Sequence, residues 1–153
     1  DAARDGGELE EMEPALLERL RFALNEAIPL DPSQMVPEID VDAEVRLSDL
    51  TADRLRELEL LAPFGHSNPQ PLLAVREADV AGEPRILGDA GKHVSFYARQ
   101  GRISIRAVAF HQGELCPRIA RPGARLSFLC HPQISRWRGR SQIELLVRDL
   151  QIT

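Results

Sequence analysis

The chain has 153 residues, of which 43% are hydrophobic and 28% charged, a balance typical of a globular protein in water. This length allows one ordinary domain with an attachment and excludes two full domains, and no apolar run approaches the roughly 18 residues that span a bilayer. The N-terminal stretch DAARDGGELEE has no basic or apolar segment of a signal peptide, so we expect it to continue a longer chain.

The net charge of −5 conceals two oppositely charged parts. Residues 1–60 carry 17 acidic and 6 basic side chains, whereas residues 61–153 carry 7 acidic and 13 basic ones, 12 of them arginines. An arginine-rich surface suits phosphate groups, because the planar guanidinium donates two parallel hydrogen bonds to them. The alternative is that the acidic part complements the basic part within one fold.

Cysteine and histidine usage indicates neither disulfides nor a metal site. Cys116 and Cys130 are too few for a disulfide framework, and each lies among apolar residues, where a buried free thiol is usual. We therefore expect a cytoplasmic protein. Together with His111 and His131 these cysteines match no standard zinc spacing. The sequence has no phosphate-binding loop or nucleophile motif either, so it predicts no metal ligands and no catalytic residues.

The first 60 residues are predicted to form a helix–strand–helix arm. Apolar residues recur at helical spacing over Pro14–Ile28. Glu38–Leu47 alternates apolar and mostly charged residues, as a strand with one buried face does. Thr51 is placed to cap a second helix over Ala52–Leu61. Since such an arm cannot hold a core alone, we expect it to pack on the rest of this protein.

Residues 61–71, LAPFGHSNPQP, are predicted to form a rigid elbow between this arm and the body that follows. Three prolines end the preceding helix and hold the chain extended, and the Asn-Pro pair favours a turn. A flexible linker would be rich in Gly and Ser, whereas this stretch carries an aromatic ring that can pack. The residues assigned to the elbow are Phe64, Gly65, Asn68 and Pro69.

The body, residues 72–153, contains five stretches with the alternation of strands: Leu72–Val80, Lys92–Arg99, Arg102–Phe110, Arg125–Ile134 and Gln142–Ile152. The connections are predicted to be a Gly/Pro turn over 81–91, a tight turn at Gln100-Gly101, a short helical or irregular crossover over 112–120 and a turn over 136–140. Five strands with a helical segment between the third and fourth are the order of an OB fold. The sequence therefore predicts a mainly β protein, a five-stranded OB-fold barrel with an α/β N-terminal arm.

Alternation divides the second and third strands into two faces. The predicted inward residues are Val94, Phe96, Ala98, Ile103, Ile105, Ala107 and Ala109. The predicted outward residues are His93, Ser95, Tyr97, Arg99, Ser104, Arg106, Val108 and Phe110. A β-bulge would exchange the two faces.

The outward face combines flat rings with cations, which is what single-stranded nucleic acid requires, because bases stack on rings and phosphates follow positive charge. An OB barrel binds single strands on this face and on the adjoining loops. The predicted DNA-binding residues are Lys92, His93, Tyr97, Arg99, Arg106, Phe110, Arg136, Trp137, Arg138 and Arg140.

Less specific interpretations of this face stay open. Trp137 could close one end of the barrel, and His93 and Tyr97 could be ordinary half-exposed strand residues. OB domains also bind proteins and oligosaccharides, so a protein-interaction or structural module is the alternative function.

Five stretches occur in the order seen in the C-terminal part of bacterial RecJ-type single-strand-specific DNA exonucleases of the DHH phosphoesterase superfamily. They are VPEIDVDAEVRLSDLT (36–51), LAPFGHSNPQP (61–71), GKHVSF (91–96), AVAFHQGEL (107–115) and SRWRGRSQIELLVRDL (135–150). The chain resembles this family from Val36 to its C-terminus. It departs at Ser67, where the family's FGxGNPxP elbow has a second glycine, and at Gln112, where methionine is common.

The resemblance implies a function whose chemistry lies elsewhere. Family members degrade single-stranded DNA from 5′ to 3′ with Mg²⁺ or Mn²⁺, and their metal-binding motifs do not occur in this chain. This part would then be the OB domain that guides the strand toward the remaining nuclease domains of the same protein. The implied partners are single-stranded DNA and those domains, with no membrane and no cofactor in this part.

Overall fold

The structure is a computed structural model that describes residues 14–27, 38–88, 90–137 and 139–153. The chain divides into two compact units, Asp1–Ile39 and Asp40–Thr153. The first contains helix α1 (Pro14–Ala27). The second contains β1 (Ala43–Glu44), α2 (Ala52–Glu59), β2 (Leu73–Leu87), β3 (His93–Gln100), β4 (Ile103–Ala109), α3 (Cys116–Ile119), β5 (Arg125–Trp137) and β6 (Arg140–Ile152). None of the described helices is long and apolar enough to cross a membrane.

Helix α1 confirms the first predicted helix over 14–27. Three described members of its predicted apolar stripe are about half exposed, namely Leu16, Leu20 and Leu24. The neighbouring Phe22 is 68% exposed. The side chains of Leu17 and Ala27, and all of Ile28, lie outside the described residues.

Strands β2 to β6 close into a barrel in the order β2-β3-β4-β6-β5, and β5 pairs with β2 to complete the ring. Strands β4 and β6 are parallel, whereas the other neighbouring pairs in the ring are antiparallel. A 3-10 turn, Gly113–Leu115, and helix α3 connect β4 to β5. This strand order and helix position are those of an OB fold, so the predicted five-stranded OB-fold barrel is confirmed.

The inner face of the barrel is apolar, as the alternation of β3 predicts. Val94, Phe96 and Ala98 are buried. The ring of Phe96 meets that of Phe128 edge-on, with centroids 6.1 Å apart. Other buried members of this core are Val75, Ala78, Ile105, Ala107, Ala109, Leu126, Cys130, Leu145 and Val147. Each strand contributes alternate residues, so closure of the sheet buries them together.

The two cysteines differ in their surroundings. Cys130 is fully buried, and this burial raises the pKa of its thiol to about 12. Cys116 is half-buried. The buried thiol of Cys130 is therefore a packing group rather than a nucleophile.

The predicted strand Glu38–Leu47 is wrong in length, because only Ala43–Glu44 pair with β2. Ile39 and Val41, which this strand would have buried, are exposed. The parallel register of Ala43 with Leu73 places residues 38–42 opposite residues 68–72, which precede β2, so this half of the predicted strand has no strand to pair with. The chain leaves the sheet and continues into a 3-10 turn, Leu47–Asp49, whose Leu47 is buried.

The first barrel strand is longer than predicted, and the predicted turn over 81–91 is largely strand. Strand β2 continues to Leu87, and its pairing with β3 shifts register between Ala81 and Arg85. Gly82, at φ 73°, and Pro84 lie in this bulge. A bulge takes residues out of the hydrogen-bonded ladder, which is where a strand tolerates Gly and Pro.

The predicted turn over 136–140 is also shorter than expected. Strand β5 runs to Trp137 and β6 begins at Arg140, and these two residues pair with each other. Gly139 has φ 76°, a conformation that favours glycine in a two-residue hairpin connection. Arg138 and the side chain of Trp137 lie outside the described residues.

Helix α2 and the elbow are held by local hydrogen bonds. Thr51 caps α2, since its Oγ1 accepts a hydrogen bond from the Arg54 N–H at 3.4 Å. The Asn68 side-chain amide donates to two backbone carbonyls of the elbow, at 2.8 and 3.0 Å, and Asn68 pairs with Gly65 through the backbone. The half-buried Phe64 lines a small cavity with Leu55, Leu58 and Pro132. The boundaries predicted for arm (1–60), elbow (61–71) and OB domain (72–153) stay a prediction.

Two neighbouring aromatic residues test the alternation of β3. Phe96→Ala should lower the free energy of unfolding by about 3–5 kcal/mol, because it leaves a cavity in the core. Tyr97→Ala, one position along on the half-exposed opposite face, should change it by only about 0.5 kcal/mol. Urea denaturation of both variants measures the difference, and equal losses would contradict the assigned faces.

Candidate nucleic-acid interface

The face of β3 and β4 opposite the core, here called the outer face, carries eight side chains. They are His93, Ser95, Tyr97, Arg99, Ser104, Arg106, Val108 and Phe110, as the sequence predicts. Their burial is uneven. Ser95 and Val108 are buried although they point away from the core, whereas Tyr97 and Phe110 are each 49% exposed. The prediction that Ile103 points into the core is wrong, because Ile103 lies next to the turn between β3 and β4 and is 41% exposed.

The register of the strands explains this pattern. Ser95 lies directly opposite Val108 in the β3–β4 ladder, and Tyr97 lies opposite Arg106. Tyr97 and Phe110 therefore lie at opposite ends of a diagonal, each two residues along its strand from the small pair. Small buried residues between two half-exposed rings form a floor on which planar groups can lie.

His93 is held in place by the loop that follows β4. Its Nδ1 accepts a hydrogen bond from the backbone N–H of His111 at 3.0 Å. Its ring makes edge contacts with Phe110 and His111, with centroids 5.1 Å apart in both cases. His93 thus supports Phe110 and retains its Nε2 side for other contacts.

A close backbone contact fixes Lys92 at the entry of β3. The Gly113 N–H donates to the Lys92 carbonyl at 2.9 Å. A Cβ at Gly113 would lie only 2.0 Å from the Gly91 carbonyl oxygen, so this approach requires glycine. The exposed Lys92 is therefore part of a rigid connection rather than of a free loop.

Arg99 and Arg106 differ in how far their charges are compensated. The Arg99 Nη2 atom lies 3.8 Å from the Asp79 Oδ2 atom, and both side chains are about half exposed. Solvent therefore screens this ion pair. Arg106 forms an ion pair with Glu144 of β6, whose side chain is only 10% exposed. The Gln133 amide donates to the same carboxylate at 3.1 Å. Arg106 is the more firmly held of the two arginines.

Arg136 and Arg140, the described arginines of the RWRGR stretch, lie on opposite faces of the β5–β6 pair. Arg140 shares a face with Glu144, because the two are separated by an even number of residues on β6. Arg136 pairs with Ser141 and lies on the opposite face, where it lines a small cavity with Ala52 and Arg56 of α2. Its predicted DNA contact stays a prediction, but it is separated from the outer face.

Two arginines near the outer face were missed by the sequence analysis. Arg85 is exposed and pairs with Ser95, so both side chains lie on the same face. Arg148 is exposed on β6, at a bulge where the β5–β6 register passes from Val147 to Asp149 and leaves Arg148 without a partner on β5. Its place in the alternating stretch Gln142–Ile152 could have identified Arg148 as a surface residue. Arg85 had no such signal, because it follows a Gly/Pro pair that indicates a turn.

Within the described part of the chain, no three His, Cys, Asp or Glu side chains come together as metal ligands. The outer face offers two half-exposed rings, several cations and a buried carboxylate.

Comparison with known proteins identifies the family of this chain. The family described as the RecJ OB domain matches residues 41–149, which is most of the chain. The chain belongs to the RecJ OB domain family. It is 31% identical over 136 residues to the single-stranded-DNA-specific exonuclease RecJ of Bacillus subtilis (strain 168), covering 88% of this chain and 17% of that protein.

Two crystal structures of RecJ from Thermus thermophilus share the fold. The structure in complex with Mn²⁺ has 28% sequence identity and a TM-score of 0.64, covering 90% of this chain and 19% of RecJ. The structure in complex with Mg²⁺ has 28% identity and a TM-score of 0.65, covering 90% and 20%. The chain thus spans about a fifth of the length of these RecJ proteins.

The Gly113 contact can be tested with a matched pair of glycines. Gly113→Ala should lower the free energy of unfolding by about 1–3 kcal/mol, because the added methyl group clashes with backbone and not with a movable side chain. Gly65→Ala, which has nothing within 4 Å of the added carbon, should change it by about 0.5 kcal/mol or less. Thermal or urea unfolding compares them, and a neutral Gly113→Ala would show that this contact is not tight.

Proposed function

We propose that this chain is the single-stranded-DNA-guiding domain of a RecJ-like 5′–3′ exonuclease. The observation that carries the proposal is the pair of half-exposed rings, Tyr97 and Phe110, on an outer face bordered by basic residues. Stacking on such rings accepts any base, because every base has a flat face. Membership in the RecJ OB domain family supports DNA as the ligand.

Selection of single strands follows from the same geometry. Bases can reach the floor formed by Ser95 and Val108 only when they are unpaired and turned toward the protein. In a duplex the bases are stacked within the helix, and only phosphates meet the surface. The outer face would therefore favour a single strand by the contribution of stacking.

We assign the hydrolysis itself to other parts of the protein. The T. thermophilus RecJ structures contain Mn²⁺ or Mg²⁺. We propose that the full enzyme uses one of these ions in its remaining nuclease domains, where it activates water and stabilises charge on the phosphate. No step of that reaction is assigned to a residue of this chain. A DNA-processing role also favours the cytoplasm as the compartment.

Fluorescence titration tests the binding function directly. Trp137 is the only tryptophan, so its emission reports on the chain without a label. The chain should bind oligo-dT in preference to a hairpin duplex, and more weakly as salt rises, because phosphate contacts release counterions. A labelled oligonucleotide measured by anisotropy provides a second readout that does not depend on where Trp137 lies. Equal binding of both DNA forms, or none, would favour the protein-interaction module instead.

The two rings should dominate the affinity. Tyr97→Ala and Phe110→Ala should each weaken oligo-dT binding by about 1–3 kcal/mol, the value of one base stacked on one ring. Leu60→Ala is the control, because Leu60 is 82% exposed beside α2 and distant in sequence from β3 and β4. Loss of binding in the control, or unchanged binding in both aromatic variants, would contradict the assigned surface.

A further inference from the structure

The ion pair between Arg106 and Glu144 lies within the outer face and changes its electrostatics. Glu144 lies directly opposite Arg106 in the parallel β4–β6 ladder. Its carboxylate accepts from Arg106 through one oxygen and from Gln133 through the other. The Arg106 side chain is 30% exposed, so part of the guanidinium still reaches the surface beside Tyr97.

We propose that Glu144 is a positioning residue that neutralises Arg106 and holds its guanidinium at the surface as a platform for a nucleobase. In this arrangement the bases lie over Tyr97 and Arg106, and the phosphates follow the exposed Arg85 and Arg148 on the flanking strands. The inference rests on the proposed function and adds the orientation of the bound strand.

A buried carboxylate beside Arg106 makes this position unsuitable for a phosphate. A phosphate on Arg106 would bring its negative charge close to Glu144, in a partly dehydrated site where repulsion between charges is strong. Breaking the ion pair to release Arg106 would leave Glu144 buried and uncompensated, which is costly. A neutral base meets neither penalty. The planar guanidinium stacks well on aromatic faces, which suits the base and not the backbone.

Arg85 and Arg148 have the opposite character. Both are exposed, and within the described part of the chain no carboxylate forms an ion pair with either. They belong to β2 and β6, the strands on either side of β3 and β4. An exposed guanidinium of this kind can move toward a phosphate and pair with it, releasing a counterion from the DNA.

Salt dependence separates a base contact from a phosphate contact. Binding of the chain to labelled oligo-dT is measured between about 50 and about 200 mM salt, where each phosphate contact contributes about 0.7 to the slope of log K against log salt. The double variant Arg106→Gln/Glu144→Gln, which removes both charges of the ion pair and leaves no unpaired buried charge, should weaken binding and leave the slope unchanged. The matched control, Arg85→Gln, should reduce the magnitude of this negative slope by about 0.7. Glu144→Gln should increase the magnitude by about 0.7, since it frees the charge of Arg106.

An abasic oligonucleotide of the same length, which keeps the phosphates and lacks the bases, gives an independent readout. The double variant should leave its binding unchanged, because the variant loses no net charge and the oligonucleotide offers no base to stack. Arg85→Gln should weaken it about as much as it weakens oligo-dT binding.

The outcomes distinguish this inference from the proposed function. If the double variant reduces the magnitude of the slope as much as Arg85→Gln does, Arg106 contacts phosphate and the inference is wrong, while single-strand binding stands. If the unaltered chain binds no single strand at all, the proposed function is wrong and the inference falls with it.

Discussion

Pairing of β5 with β2 is the interaction on which the rest of the structure depends. It joins two strands of the sheet that would otherwise have open edges. The closed sheet then encloses alternate residues of every strand in one core. The pairing shifts register between Val75 and Ala78, so β2 bends and can serve β5 on one edge and both β1 and β3 on the other. Without that closure the outer face of β3 and β4 would have no defined neighbours.

The charge that the outer face presents depends on which arginines form ion pairs, more than on how many arginines the body contains. The body has an excess of basic residues, yet Arg106 is neutralised by a buried carboxylate and Arg99 is loosely paired with Asp79. Lys92 is fixed by a glycine contact, and Arg85 and Arg148 stay exposed. A face with a neutral, ring-lined centre and charged flanks fits a strand whose bases point inward and whose phosphates lie outside. A uniformly basic surface would not make this distinction between base and backbone.

Much of the fold could be predicted because short-range patterns specify it. The alternation in β3 correctly separated Val94 and Phe96 from Tyr97, and the spacing of strands and helical crossover identified the OB fold. The errors have a common cause, which is that strand length depends on an available partner. Glu38–Leu47 alternates like a strand, but its first half lies opposite residues that precede β2. Residues 81–87 contain Gly and Pro yet pair with β3. Alternation describes which face a residue takes and not whether another strand is present.

The five barrel strands, the core residues of β3 and the family could be predicted from local patterns, because each depends on neighbours in the chain or on recurring stretches of residues. The set of side chains that share the candidate site depends instead on pairing between distant strands. Arg106 and Glu144 are 38 residues apart and meet through a parallel pairing whose register has no local signal. Arg85 reaches the outer face through a bulge, and Arg136 leaves it because of its position in the β5–β6 ladder. Closure of the barrel brings these residues together or separates them.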